Sequence, residues 1–561
     1  MCSIVGIIGE KSNEKRLDAM LSSQAHRGPD DTGKYIDDGV VLGHNRLSTI
    51  DLSSDANQPF VSQDGRYKLV YSGEIYNYLE LKSELASHYN FKTKSDTEVL
   101  LAAYIIWGAN CLHRFSGMFS FTIWDTKKKT LFAARDRFGV KPLYYVSADN
   151  GFSFASEIKT LFASGIKKET NDTVWVSYFV YGSYGMPNET FWRGVEQRPR
   201  GHYLTLENKQ VTIKKRCDFE ESIKKHENEL PFEEVLATYE TLLEDSINLR
   251  FRADVPVGFN LSGGLDSSTL LAFVNTTQEK KGINAYTFYT NDELRWVEEM
   301  IASTQNPLHK VLLDVNEVEH LGKKLSAVQD EPYGGVSTIA YGNIFKTARR
   351  QEVKELLDGQ GMDEQWAGYD YYTKPSDSTI QGIRKSPFRA SVSDKGFLAL
   401  AQKPMYSKPF KDNVKNLQYR NLFYTKIPRA LRFNDRVSMA ASTELREPFL
   451  DHRMVELAFA QPLKYKIQNG SQKYLLRILV DKYLSDSIRF APKRPLQTPQ
   501  REWLGDDLKQ WVKTEVAYLG SCDWFNPNEL QKELDIYFNG DQESSFHIWQ
   551  WLNTSLLLKN L

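Results

Sequence analysis

Three local patterns in this chain carry residue types that do chemistry. The first is Cys2, directly after the initiator Met. Its small side chain permits removal of Met1, which would put a thiol and a free α-amine on one residue. An α-amine with a pKa near 7.7–8.0 can act as general base for that thiol, the logic of N-terminal nucleophiles. On position alone, a buried structural cysteine opening a strand is the plainer reading. The second pattern is Ser262-Gly263-Gly264-Leu265-Asp266-Ser267-Ser268, between an apolar strand ending at Leu261 and a helix starting near Thr269. Glycines let backbone N–H groups turn inward around an anion, and a helix N-terminus adds about half a positive charge. Serine hydroxyls donate to phosphate oxygens, and Asp266 can hold a divalent cation that bridges them. No G-x-x-x-x-G-K-[ST] occurs, which excludes the P-loop of kinases and GTPases. The third pattern is Asp358-Gly359-Gln360-Gly361-Met362-Asp363-Glu364, after the apolar Leu356-Leu357. Alone it reads as a solvated acidic turn. Ligands of open α/β sheets sit at the carboxyl ends of strands, so two such loops could hold one Mg²⁺ through Asp266 and Asp363.

These groups need a scaffold. Over the first 210 residues, short apolar or alternating runs predict strands at Ser3–Ile8, Val40–Leu42, Tyr67–Tyr71, Met118–Trp124, Thr130–Ala134 and Leu143–Val146. Helical spacing predicts Glu14–Ser22 and Thr97–Trp107. This is an α+β layout. The charged stretch 211–232 is the expected linker. Residues 233–561 then alternate helix and strand (Val235–Ile247 helix, Val255–Leu261 strand, Ala285–Thr290 strand, Trp296–Thr304 helix, Lys310–Leu313 strand), which implies a parallel sheet. From about residue 395 the pattern is mostly helical, as at Phe397–Ala401, Met454–Ala460 and Lys473–Tyr483.

Composition narrows the function classes. The chain has 561 residues, 41% hydrophobic and 25% charged, which argues against wholesale disorder. A net charge of −1 gives no reason to expect nucleic acid or an anionic membrane as partner. Cys2, Cys111, Cys217 and Cys522 lie far apart with no C-x-x-C, against a clustered zinc site and in keeping with a reducing, cytoplasmic compartment. The uncharged stretch 173–188 is too short and polar to span a bilayer. The N-terminus lacks the basic region and cleavage pattern of a signal peptide.

Taken together and in this order, the patterns resemble the glutamine-hydrolysing asparagine synthetase family over nearly the whole length. Residues 1–210 resemble its class II glutamine amidotransferase domain through Cys2-Ser3-Ile4-Val5-Gly6, His26-Arg27-Gly28-Pro29-Asp30-Asp31, His44-Asn45-Arg46-Leu47-Ser48, Gly73-Glu74-Ile75-Tyr76-Asn77, Ser95-Asp96-Thr97-Glu98 and the run from Arg135 to Leu143. Residues 233–561 resemble its ATP-pyrophosphatase synthetase domain through the Ser262 loop, the Asp358 cluster and Glu447-Pro448-Phe449-Leu450-Asp451. The implied fold is an α+β N-terminal-nucleophile sandwich followed by an α/β parallel-sheet domain with a helical C-terminal part. The resemblance implies that Cys2 attacks the glutamine amide, Arg46 grips the α-carboxylate, Glu74 and Asp96 hold the α-ammonium, and Gly73 N–H helps stabilise the oxyanion. It implies that ATP activates a carboxylate as acyl-adenylate, that Leu261, Ser262, Gly263, Gly264, Asp266, Ser267 and Gly359 bind ATP and pyrophosphate, and that Asp266 and Asp363 hold Mg²⁺. Lys493 would stabilise charge on the adenylate. Ammonia would pass through an internal channel, and the enzyme would be a homodimer.

Four departures bear on function. The family usually has Asn where Ser72 stands, and that Asn supplies a second oxyanion donor; losing one such donor typically costs on the order of 10²–10³ in rate, unless Ser72 replaces it. Gln360 stands for a family acid and can orient ammonia but not take its proton. A carboxylate near the acceptor is absent at Gly335, and a basic residue is replaced by Ala491. The resemblance makes aspartate the expected acceptor, and the departures leave two alternatives: another carboxylate, such as a sugar acid in surface-polysaccharide synthesis, or a catalytically weak regulatory relative. His26, His44 and His309 read as structural, Arg27 and Asp30 as either turn-forming or functional, and Arg135-Asp136-Arg137 as a buried ion-pair network.

Overall fold

Period-two alternation of apolar residues builds the first half. In β1 (Ser3–Gly9), Ile4 faces one side and Val5 and Ile7 the other; β3 (Val40–Arg46) repeats this with Leu42 and Val41. The computed structural model describes residues 2–149, 151–216, 218–226, 230–278, 282–290, 294–374, 378–491, 498–540 and 543–559. With β2 (Asp31–Asp37), β8 (Tyr144–Ala148), β9 (Gly151–Ala155) and β10 (Glu196–Gln197), these strands form an antiparallel sheet of order β10-β8-β9-β1-β3-β2. A second antiparallel sheet, β12-β11-β7-β6-β5-β4, comprises β4 (Phe60–Val61), β5 (Tyr67–Ile75), β6 (Gly117–Asp125), β7 (Thr130–Arg135), β11 (His202–Glu207) and β12 (Gln210–Lys215). Ile4, Val40 and Leu42 of the first meet Val70, Trp124, Leu131 and Ala133 of the second in one core. Helices Glu14–Ser23 and Ile158–Ala163 cover one outer face, and Asp96–Trp107 covers the other. This is the expected α+β sandwich, two antiparallel sheets packed face to face between helices.

The second half is built on five short parallel strands: β13 (Val257–Asn260), β14 (Ala285–Tyr289), β15 (Leu308–Leu312), β16 (Glu355–Leu357) and β17 (Glu444–Arg446), in the order β15-β14-β13-β16-β17. Helices lie on both faces. Phe259 and Ala285 pack with Phe232–Arg250 and Leu265–Gln278 on one side; Tyr286, Phe288, Leu356 and Leu445 pack with Gly335–Arg350 on the other. The chain leaves β13 toward β14 and β15, then returns to β16 on its opposite side. The switch point therefore falls between β13 and β16, the two strands that the Ser262 loop and the Asp358 cluster follow.

Two stretches depart from expectation. Residues 211–215 do not open a linker: they form β12, hydrogen-bonded to β11. The charged stretch after it holds the helix Phe219–His226, because Phe219 and Ile223 pack with Tyr419 and Phe459. The helix expected over Phe397–Ala401 is a single turn, Lys395–Leu398, and that over Lys473–Tyr483 shortens to Tyr474–Leu479. Among the described residues, no helix is long and apolar enough to cross a membrane.

Candidate active site

Cys2 lies just ahead of β1, with Sγ 3.8 Å from the Leu47 carbonyl. Its own carbonyl accepts the Ser72 hydroxyl at 2.8 Å and Arg27 Nε at 3.4 Å. Burial pushes the Cys2 thiol up, and Arg46 pulls the other way. Arg46 ends β3, and the 51–57 loop holds its guanidinium: Nη1 donates to Ser53 O at 2.7 Å and to Asn57 Oδ1 at 2.6 Å, and Nη2 donates to Asp51 O. Glu74, on β5, accepts the Thr49 hydroxyl at 2.7 Å through Oε1, while its buried Oε2 has no partner among the described residues. Asp96 opens a helix and accepts the Tyr71 hydroxyl at 2.8 Å and Ile75 N–H at 3.0 Å. Burial raises both carboxyls. Gly73 has φ +150°, and a Cβ there would stand 2.2 Å from Met118 O on β6, so only glycine fits. Ser72 differs from expectation. Its one hydroxyl proton is donated to the Cys2 carbonyl and is not presented as an oxyanion donor.

Sequence reasoning missed Arg446, which carries the second domain into this site. Its Nη2 lies 2.6 Å from Glu355 and 3.4 Å from Glu74, and its Nε lies 3.8 Å from Glu444. Lys141 Nζ stands 3.8 Å from Glu444. Three buried carboxyls thus share one guanidinium and one ammonium. Burial pushes Glu355 up to about 8, whereas Lys141 and Arg446 overcome burial to hold Glu444 at about 2. At neutral pH Glu355 keeps a proton that an unfolded glutamate has lost. Its contribution to stability is greatest below the ordinary glutamate pKa and is lost as pH rises toward 8. We expect the protein to lose up to about 1 kcal/mol per pH unit between about pH 5 and 8, and Glu355→Gln to flatten that slope in denaturant titrations across the range.

The second centre is a cavity of about 300 Å³ at the switch point of the parallel sheet. Leu261, Ser262, Gly264, Asp266 and Ser267 line it from one loop, and Asp358, Gly359, Gln360 and Asp363 from the other. Gly263 supplies the turn at φ +71°. Ser267 Oγ accepts Ser262 N–H at 3.1 Å and lies 2.9 Å from Ser262 Oγ. Asp266 and Asp363 converge as expected, but on a residue that sequence reasoning missed. Lys473 Nζ is 2.6 and 2.7 Å from the two Asp266 oxygens and 2.6 Å from Asp363. Burial opposes that ammonium, and the two carboxylates outweigh it and raise its pKa. Lys473 sits at φ +54°, a conformation uncommon outside glycine. Gly368 lets the cluster close: a Cβ there would stand 2.0 Å from Asp363 Oδ1 and 2.2 Å from Lys473 Cε. Two carboxylates aimed at one cation position suit Mg²⁺, which binds through one or two acids plus phosphates.

Gln360 and Ala491 line the cavity wall; Lys493 lies outside the described residues. Gly335 opens the helix Gly335–Arg350, and a Cβ there would meet Gln500 Oε1 at 2.3 Å, the oxygen that accepts Val336 N–H at 2.8 Å. Elsewhere, Arg27 joins the two halves, bonding Glu157 at 2.9 Å and Asp435 at 2.8 Å. The expected ion-pair network at Arg135–Arg137 is instead satisfied by backbone. Arg135 donates to the carbonyls of Gly139, Lys141 and Arg198, Arg137 donates to those of Phe115 and His113, and Asp136 accepts the N–H groups of Phe119, Phe138, Val140 and Lys141.

Residues 1–217 match the glutamine amidotransferase domain family, and residues 238–559 match the asparagine synthase family. Among curated proteins, the chain is 29% identical to asparagine synthetase [glutamine-hydrolyzing] 3 of Bacillus subtilis (strain 168), over 92% of this chain and 90% of that one. It is 30% identical to asparagine synthetase [glutamine-hydrolyzing] 2 of the same organism, over 88% and 71% of the two chains. It is also 26% identical to amidase chry2 of Gibberella zeae, over 94% and 91%.

Proposed function

From the premise that the chain belongs to the asparagine synthase family, as a glutamine-dependent, ATP-using ligase, we propose that it makes asparagine from aspartate in the cytoplasm. The observation that carries the reading is a pair of adjacent strands that serve two sites. β17 brings Arg446 to Glu74 beside Cys2, and its neighbour β16 leads into the pocket of the Ser262 loop.

With Met1 removed, the α-amine of Cys2 takes the thiol proton, which a buried thiol would otherwise keep at neutral pH. Sulfur attacks the glutamine side-chain carbonyl carbon, ammonia leaves, and water hydrolyses the thioester. Arg46, bonded through Nη1 to Ser53 and Asn57 and through Nη2 to Asp51, would grip the α-carboxylate with its remaining N–H groups. The free Oε2 of Glu74, together with Asp96, receives the α-ammonium. Gly73 N–H meets the oxyanion, and Ser72 would have to turn from the Cys2 carbonyl to assist it. In the second pocket the acceptor carboxylate attacks the α-phosphorus of ATP and pyrophosphate leaves. The Ser262, Gly263, Gly264 and Ser267 loop, with Leu261 and Gly359, cradles the leaving phosphates. Asp266 and Asp363 would hold Mg²⁺, whose chemistry is to neutralise phosphate charge. Lys493 would steady charge on the adenylate and Gln360 would orient the nucleophile. Ammonia then displaces AMP to give the amide.

A sugar-acid acceptor is the second reading, favoured by the place of Gly335, where Gln500 occupies the space a carboxylate side chain would need. A pyrophosphate-release screen with ammonia supplied separates the two. Aspartate should trigger release, and release with a sugar acid but not aspartate would select the second reading.

A further inference from the structure

We propose that Asp358 and Glu447 form the proton-accepting pair of the amide-forming step; this rests on the reading of the second pocket given above. The register of the parallel sheet places them side by side. Leu357 of β16 pairs with Arg446 of β17, and Asp358 N–H donates to Arg446 O at 3.0 Å, so the two acids are the next residues out at the carboxyl ends of adjacent strands. They are 5% and 3% exposed. Asp358 lines the cavity beside Gln360.

Neither acid has a cation at ion-pair distance among the described residues. Asp358 Oδ1 accepts Gly359 N–H at 2.8 Å, and Oδ2 lies 3.5 Å from Asn434 Nδ2. Glu447 Oε2 has no partner among the described residues. Lys141 and Arg250 act on Glu447 only from a distance, and Tyr341 faces both acids. The side chain of Gln360 faces Asp358 and its backbone N–H faces Glu447, so this amide spans the pair. The other acids of the cavity are engaged elsewhere: Asp266 and Asp363 are bonded to Lys473, and Glu364 accepts the Tyr369 hydroxyl at 2.7 Å.

Burial raises both carboxyls, and the charge of Asp358 adds to the rise at Glu447. Buried carboxyls side by side with no cation beside them resist double ionisation, so the pair would hold one shared proton and one negative charge. That charge is what the chemistry lacks. When ammonia forms the new C–N bond and the C–O bond to AMP breaks, the nitrogen carries one proton too many. The ionised member of the pair takes it and later returns it to water. A glutamine amide does not accept a proton at neutral pH, so Gln360 is a positioning residue. The residue before Glu447 is Arg446, in contact with Glu74. Glu447 therefore directly follows the residue that reaches the first site, while Asp358 on the adjacent strand faces the second.

Full-length Asp358→Asn and Glu447→Gln test this with ammonium chloride as nitrogen donor and aspartate as acceptor. Exchange of labelled pyrophosphate into ATP should persist in both variants, while amide formation falls about 10²-fold. Amide formation at the wild-type rate would overturn the inference, as would loss of exchange and amide formation together. If the wild type shows no exchange, the reading of the pocket fails, and the pair is judged by infrared spectroscopy of the ligand-free protein. Over the background that Glu355 keeps in all three proteins, the wild type should show at neutral pH one protonated carboxylic acid carbonyl stretch more than either variant. Absence of that additional stretch from the wild type would overturn the shared proton.

Discussion

Replacing Cys2 with alanine should abolish glutamine-driven amide synthesis while leaving ammonia-driven synthesis near the wild-type rate. Removing a covalent nucleophile leaves only binding and oxyanion stabilisation, so the loss of glutamine hydrolysis should be about 10⁴-fold or more. The split between nitrogen sources is the informative part. The Ser262 pocket is lined by the loops after β13 and β16, by the helix Gly335–Arg350 and by residues around Lys473, and among the described residues none of the first 210 lines it. Cys2→Ala should therefore not alter pyrophosphate release when ammonium is supplied. The substitution also deletes little packing, because only the sulfur and its weak contact with Leu47 O are removed. Assaying glutamate, pyrophosphate and amide in parallel, with each nitrogen source, measures the effect. Retained glutamine hydrolysis in the variant would assign the reaction to another group.

Lys473→Met should have the second largest effect, and its sign should depend on magnesium. The Lys473 ammonium joins Asp266 and Asp363, and removing it leaves their two carboxylates without that shared cation. Breaking a buried pair by removing one partner costs about 3 kcal/mol at the low end. The low end is appropriate because both carboxylates keep about a fifth of their surface in water. Methionine preserves most of the stem, so the loss reports charge more than volume. Thermal unfolding in EDTA should show the variant well below the wild type. Magnesium should restore more stability to the variant than to the wild type, since the divalent ion then meets two carboxylates that have lost their shared ammonium. A variant as stable as the wild type in EDTA, with no added response to magnesium, would refute the account of this cluster.

What was legible in the sequence follows physical locality. The Ser262 loop is a continuous run whose strand, glycine turn and helix start are encoded side by side, and it forms at the switch point as expected. Cys2 needed its companions: Arg46, Glu74 and Asp96 come from three different elements, and only the family resemblance linked them before the fold did. Lys473 and Arg446 carry no local signature. Each is one basic residue among mixed polar and apolar neighbours, and the acids it holds most closely, Glu355 for Arg446 and Asp266 for Lys473, lie far away in the chain. Charge balance was the available signal, since two acids converging in a cavity require a cation. Arg135–Arg137 looked like ion pairs because the charges alternate, yet each side chain reaches backbone groups of loops that composition does not reveal. The space beside Gly335 is set by Gln500, far along the chain, so the meaning of that missing carboxylate was not readable locally.

The most direct test of the two-site account follows nitrogen. The protein is incubated with glutamine labelled at the side-chain amide, ATP, magnesium and aspartate, and the product amide is analysed together with pyrophosphate. The account predicts label in the new amide, with one pyrophosphate released for each amide formed and no labelled amide from Cys2→Ala. Label recovered only as free ammonia, with no pyrophosphate released for aspartate or for a sugar acid, would contradict it.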